Sequence, residues 1–256
     1  MDIEPITVLE AAGIGFARVS GIVSLVPLPG LQSANPIARI VLALAITVVL
    51  VPCWIRLVIP APGVSGIIWI LSSEAALGIT IGLAVLSLSE VFITAGQIMN
   101  IQAGFTYATT IDPTNQTDSG IVPMLWQLFG AVVALGLGVD RAVFRVIGES
   151  FQTCPPGTWI ASIQSVGGIA SFSGQMLSLG FRMALPVVTC LVLIDLLLAS
   201  VTRVSSAIQL LSLSFPVKIL ASLLLFSISL PVSATLFQGA CEKFGHLLQS
   251  LLVAVH

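Results

Sequence analysis

The fold class predicted for this sequence is an all-α integral membrane protein, and three observations predict it. The 256 residues are 57% hydrophobic and only 8% charged, with a mean hydropathy of +1.11, which lies well outside the composition of a soluble domain. Strand signals are weak throughout, whereas long apolar runs are separated by clusters of Pro and Gly. Nearly every run also carries an embedded charge: Glu10 and Arg18 in the first, Glu74 and Glu90 in the third, Asp195 in a later one, and Lys218 just after Pro216. A charge facing lipid at a helix centre costs about 2.5 to 3.5 kcal/mol, so each of these groups should face protein or water. Few of the runs should therefore behave as simple uninterrupted spans.

The first apolar segment runs from about Ile6 to Leu28 and stops at Pro27-Leu28-Pro29-Gly30. The second covers Ile37 to Ile59, with Arg39 and Arg56 near its ends and Pro52 inside. The 16 residues between those arginines fall short of the roughly 20 a spanning helix needs. After Pro60-Ala61-Pro62-Gly63 a long helix is expected over Ile67 to Ile93, with Gly78 and Gly82 spaced to let a neighbouring backbone approach. Glu74 stands four residues before Gly78 and shares its face, so that face should meet protein.

From Thr94 to Ile111 the composition turns polar and small, and Asp112 to Gly120 is the most polar stretch and reads as a loop. The triplet Asn115-Gln116-Thr117 matches a glycosylation sequon, but such triplets are common by chance. Ile121 to Val139 is a charge-free run of 19 residues and the cleanest span candidate. Asp140 to Glu149 then carries four charges and gives way to the turn cluster Cys154-Pro155-Pro156-Gly157-Thr158-Trp159. Trp159 suits either a membrane interface or an ordinary core. A further helix is expected over Phe181 to Val201, with Pro186 near its start, and a last hydrophobic pair of segments over Ile208 to Phe237, divided near Phe215-Pro216. Leu247, Leu248, Leu251 and Leu252 then recur at helical spacing. Arg39 precedes Pro52 by 13 residues, as Lys218 precedes Pro231, which fits either similar hairpins in two parts of the chain or plain punctuation by proline.

Several functions are excluded or disfavoured. Net charge is −2 and no run of Lys or Arg occurs, so nucleic acid is not an expected partner. The acidic start Met1-Asp2-Ile3-Glu4 is unlike a signal peptide, so the beginning of the chain is expected to stay in the mature protein. Cys53, Cys154, Cys190 and Cys241 are widely spaced and read as small hydrophobes with no disulfide or metal role. The only histidines are His246 and His256, and no HExxH, Walker, GxGxxG or GxSxG motif is present. No catalytic, cofactor-binding or metal-binding residue is therefore expected. Glu74, Glu90 and Asp195 could relay protons, so a secondary transporter using intramembrane carboxylates is the alternative function.

The stretch Phe181-Arg182-Met183-Ala184-Leu185-Pro186, then Asp195-Leu196-Leu197-Leu198-Ala199 to Arg203, then Gln209 and Phe215-Pro216-Val217-Lys218, resembles the C-terminal signature of the FliR family. These are flagellar type III export-gate subunits, related to the SctT family of virulence secretion. Upstream, Arg18-Val19-Ser20-Gly21 with Pro27, Pro36, Arg39 and Pro52 looks like the family's opening. Glu74, Gly78 and Gly82, and then Gln102-Ala103-Gly104-Phe105 leading to Asp112-Pro113, follow in the family's order. The chain departs from the pattern at Gly138-Val139-Asp140-Arg141, where relatives often have a histidine after glycine, and at Ser205-Ser206, where they have proline.

The resemblance implies a non-enzymatic subunit of the flagellar protein export gate, located in the bacterial inner membrane at the flagellar basal body. It implies kinked helical hairpins, with a FliP-like part over about 1–180 and a FliQ-like part over about 181–256. It implies assembly with FliP-like and FliQ-like subunits, contact with an FlhB-like subunit, and passage of unfolded flagellar proteins through the shared channel. The stretch containing Gln102, Gly104, Phe105, Asp112, Pro113, Ser119 and Gly120 matches the family's pore-plugging loop. Arg18, Glu74, Asp195, Arg203 and Lys218 are the residues expected to make the polar packing contacts that fix assembly.

Overall fold

The computed structural model describes residues 5–26, 36–54, 63–104, 121–159, 163–204 and 210–253. Among the described residues all regular structure is helical: α1 (Pro5–Leu25), α2 (Pro36–Trp54), α3 (Gly63–Ala103), α4 (Ile121–Gly136), α5 (Val139–Thr153), α6 (Ile163–Val204) and α7 (Leu210–Val253). Pro5 and Pro36 each open a helix, where a missing N–H is no loss. Among the described residues, three helices are long and apolar enough to cross a membrane, over Ser65–Ala103, Val166–Val201 and Pro216–Leu251.

The chain forms two compact units. The first comprises Met1–Leu88, Leu135–Gly174 and Cys241–His256, and the second comprises Ser89–Ala134 and Gln175–Ala240. Each of α3, α6 and α7 contributes a segment to both.

In the first unit α1 buries Ala11, Ile14, Arg18, Val19 and Ile22, and α3 buries Glu74, Leu77, Gly78, Ile81, Gly82, Val85 and Leu88. Both sets follow the three-and-four spacing of a single helix face, so a cation and a carboxylate sit inside otherwise apolar stripes. The glycines set the distance between these helices. A Cβ on Gly78 would overlap the carbonyl oxygen of Arg18, and one on Gly21 would lie 2.9 Å from the carbonyl oxygen of Ala75. Elsewhere in this unit α1 packs on α2 and α2 on α5, and Phe172 of α6 meets Phe244 of α7 with ring centroids 6.2 Å apart.

The second unit is organised around Trp126, which is fully buried. Its ring lies 5.1 Å from Phe226, 6.0 Å from Phe129 and 6.1 Å from Phe92, and its indole N–H points at the sulfur of Met99, 3.1 Å away. Phe92 in turn meets Phe237 in a tilted contact, with ring centroids 4.7 Å apart. Aromatic pairs at such separations each add about 0.5 to 1.5 kcal/mol beyond their buried area.

Four expectations from the sequence need correction. The run Ile121 to Val139 is not one span: α4 ends at Gly136 after 16 residues, about 24 Å. Gly138 then adopts φ +74, a left-handed conformation that costs glycine little, and starts α5. Phe215-Pro216 does not divide the last hydrophobic stretch, because α7 runs through both Pro216 and Pro231 for 44 residues. Arg39 with Pro52, and Lys218 with Pro231, each lie on a single helix, so neither spacing marks a hairpin turn. A proline forfeits one backbone hydrogen bond, whereas ending a helix in an apolar setting exposes several backbone groups. Near Pro231 the hydroxyls of Ser229 and Ser233 also donate to the carbonyls of Phe226 and Ser229. Lastly, α3 continues past Ile93 to Ala103, into the polar, small-residue segment, and α6 starts at Ile163, well before Phe181.

The helix contact makes a direct prediction. Gly78→Ala should destabilise the protein by about 1 to 3 kcal/mol through overpacking. Gly13→Ala, where a Cβ meets nothing within 4 Å, should be neutral or mildly stabilising. Thermal unfolding of the two variants in detergent checks the difference.

Candidate functional site

Arg18 is fully buried, and each of its guanidinium nitrogens has a partner. Nε donates to Glu74 Oε2 at 2.5 Å, Nη1 to Ser150 Oγ at 3.2 Å, and Nη2 to the carbonyl oxygen of Cys154 at 3.0 Å. The guanidinium carbon also lies 4.1 Å above the ring centre of Phe151, a cation–π geometry. The other oxygen of Glu74, Oε1, accepts the backbone N–H of Gly157 at 2.9 Å. A fully desolvated ion pair is tolerable only when hydrogen bonds from its surroundings support it, and here every guanidinium nitrogen and both Glu74 oxygens have a partner.

This joint unites α1, α3, α5 and the Cys154-to-Gly157 turn, all within the first unit. The turn cluster in the sequence thus has a structural role beyond ending a helix, because it supplies one carbonyl and one amide to the pair. Gly157 is required there twice over: its φ is +83, and a Cβ would lie 2.9 Å from Ile70. Ser150 Oγ accepts from Arg18 while donating to the carbonyl of Ile147. Burial pushes the Cys154 thiol above its ordinary pKa; the Arg18 guanidinium opposes that shift and the Glu74 carboxylate adds to it. The thiol stays protonated and unreactive. Trp159 is buried, which places it in the core.

A second joint lies in the second unit. Asp195 Oδ1 accepts from Lys218 Nζ at 2.8 Å, and Oδ2 accepts from Gln102 Nε2 at 3.1 Å. One carboxylate therefore links α3, α6 and α7. This cluster is more open than the first, with 39% of the Asp195 side chain exposed.

The structure brings Arg18 together with Glu74, and Asp195 with Lys218, but holds these as two separate clusters. Gln102 belongs to the last turn of α3. Gly104 follows at φ +86, buried, with its N–H donating to the carbonyl of Ile101. Phe105, Asp112, Pro113, Ser119 and Gly120 lie outside the described residues, as does the triplet at Asn115. Arg203 is in the final turn of α6, with its side chain outside the described set. Glu90, Gln97 and Arg182 are exposed on their helices. Sequence reasoning missed Ser150, Phe151 and the two backbone groups; the only signal for them was the turn cluster, whose backbone partners carry no side-chain signature.

Fold and joints together define an all-helical integral membrane protein in which Arg18, Glu74, Asp195 and Lys218, all embedded in apolar helices, are matched by groups of its own chain. The sequence matches bacterial export proteins, family 1, over residues 9–244. The chain belongs to that family. It is 23% identical to Flagellar biosynthetic protein FliR of Pectobacterium carotovorum subsp. carotovorum over 237 residues, covering 93% of this chain and 90% of that protein. It is 29% identical to Surface presentation of antigens protein SpaR of Salmonella typhimurium over 231 residues, covering 87% and 85%. Against Flagellar biosynthetic protein FliR of Escherichia coli K12 it is 20% identical over 239 residues, covering 92% and 90%. Membership of this family makes the chain a component of a bacterial export apparatus.

Truncating one member of the first joint should be severe. Glu74→Ala leaves the Arg18 charge buried without its counterion and should cost about 3 to 5 kcal/mol. The double variant Arg18→Met with Glu74→Leu should recover much of that loss, because no buried charge remains. Denaturant unfolding in detergent measures both.

Proposed function

We propose that the chain is a non-enzymatic subunit of the flagellar type III protein export gate in the bacterial inner membrane, at the flagellar basal body. The observation that carries this reading is the colinear similarity to flagellar FliR proteins over about nine-tenths of both chains. The SpaR relative belongs to the same family, and the Gly104-Phe105 to Asp112-Pro113 pattern favours the flagellar branch.

In this reading the chain assembles with FliP-like and FliQ-like subunits and contacts an FlhB-like subunit, and unfolded flagellar proteins pass through their common channel. The part over about 1–180 is FliP-like and the part over about 181–256 is FliQ-like, a division of ancestry distinct from the two contact units. Groups left open on this chain support a need for protein neighbours. Asn100 Oδ1 is buried with no donor among the described residues, and Glu90 and Arg182 are exposed on apolar helices. Bilayer hydrocarbon satisfies none of these. Arg18, Glu74, Asp195, Arg203 and Lys218 act in this scheme as packing groups that fix assembly, and the stretch from about Gln102 to Gly120 plugs the closed channel.

The secondary-transporter alternative needs carboxylates free to bind an ion. Of its three candidates, Glu74 and Asp195 each have both oxygens engaged while Glu90 is exposed on α3; the engagement of two of the three favours the export subunit.

The test is genetic. Cells lacking this chain should build no flagella and export no flagellar subunits, and a plasmid copy should restore both. Normal export without the chain, scored by secreted flagellin, contradicts the proposal.

A further inference from the structure

Asp195 and Lys218 answer each other, but the second unit also carries a carboxylate, Glu90, with no ion-pair partner among the described residues. Along this unit's part of α3, from Ser89 to Ala103, the exposed side chains are Glu90, Gln97 and Ile101. Steps of seven and four residues put all three on one face, a stripe about 16 Å long. Half-buried Ile93 and Thr94 border it. Much of the rest of the segment is taken up by packing: Phe92 meets Phe237, and Met99 meets Trp126. On one flank α6 presses close, where a Cβ on Gly180 would lie 2.9 Å from the carbonyl oxygen of Val91 and 3.1 Å from Thr94. Next to that crossing α6 exposes Leu177 and Phe181.

We infer that the Glu90 stripe is the docking face for an apolar helix of a neighbouring subunit that carries one Lys or Arg. The inference rests on the reading of the chain as one subunit of a multi-protein export gate. Three environments are open to Glu90, and one suits its surroundings. Hydrocarbon would cost about 2.5 to 3.5 kcal/mol for a carboxylate on a spanning helix. Bulk water would solvate Glu90 but would also wet Ile101, 66% exposed on the same stripe, together with Leu177 and Phe181. An apolar helix with a single cation covers the isoleucine and neutralises the acid through a charge-assisted hydrogen bond. One polar contact in an apolar seam also fixes the register of two helices. Gln97, two turns along from Glu90, can both donate and accept, so it suits a neutral polar group on the same partner.

The experiment labels Glu90 with two carbodiimides, one apolar and one water-soluble, and reads the modified sites by mass spectrometry. It compares the isolated full chain in detergent with the complex the chain forms with its co-expressed export-apparatus neighbours. The expected result is ready reaction in the isolated chain and a rate lower by about tenfold or more with both reagents in the complex. Glu90→Lys should melt like the unaltered chain, because the side chain is exposed, yet lower the recovery of complex by about tenfold or more. Reversing one Lys or Arg on a membrane helix of a neighbour, each tried in turn, should restore that recovery. Rapid labelling within the complex by the water-soluble reagent means a wet surface, and by the apolar reagent a lipid-facing one; either overturns the docking stripe and leaves the export reading standing. A Glu90→Lys chain that assembles normally, or one that no charge reversal restores, also overturns it. If the unaltered chain joins no complex, the export reading fails and the stripe with it.

Discussion

The ion pair between Arg18 and Glu74 is the constraint on which the first unit depends. Both groups sit on the core faces of their helices, where an unpaired charge would be prohibitive. Three features elsewhere follow from accommodating them. Gly78 and Gly21 bring α1 and α3 into backbone contact, close enough for the side chains to meet. One turn of α5 places Ser150 and Phe151 against the guanidinium. The Cys154-to-Gly157 turn then delivers a carbonyl and an amide to the remaining positions. A pair so enclosed stabilises little in itself against an apolar substitute. What it fixes is which residues of α1, α3, α5 and the following turn face one another, because each partner of the two charges comes from a different element.

The second unit uses the same chemistry with less enclosure. Its core is aromatic, built on Trp126 and the rings of Phe92, Phe129 and Phe226, and its ion pair at Asp195 and Lys218 stays partly open. Dispersion and ring packing hold the helices, while the carboxylate ties down one helix end through Gln102. An enclosed joint suits a fixed framework, and a half-open one suits a position that must yield or accept further contacts. The difference follows from exposure, because solvent or a neighbour can compete for Asp195 and nothing can compete for Glu74.

Much of this was legible in the sequence, for identifiable reasons. Composition and the lack of alternation were enough for an all-helical membrane fold, and the four-residue spacing of Glu74 and Gly78 put a carboxylate on a close-packed face. The partner of Glu74 was not legible, because Arg18 is 56 residues away and long-range pairing leaves no local periodicity. Helix breaks were over-read at Pro216 and at the polar segment after Ile93, where the cost of exposing backbone outweighs local propensity. They were under-read at Gly136 to Gly138, where an apolar run concealed a left-handed glycine. Backbone groups such as the Gly157 amide complete the site, and a sequence lists them at every position alike.

The central claim is that Glu74, a carboxylate embedded in an apolar helix, is held by protein and is open neither to lipid nor to a transport path. Carbodiimide labelling in native membranes tests it most directly, with an apolar reagent to reach lipid-facing acids and a water-soluble one to reach solvated acids, each site read by mass spectrometry. The account predicts that Glu74 resists both reagents until the protein is denatured, while the exposed Glu149 of α5 reacts readily with the water-soluble one. Rapid modification of Glu74 by the apolar reagent in the folded protein would contradict it.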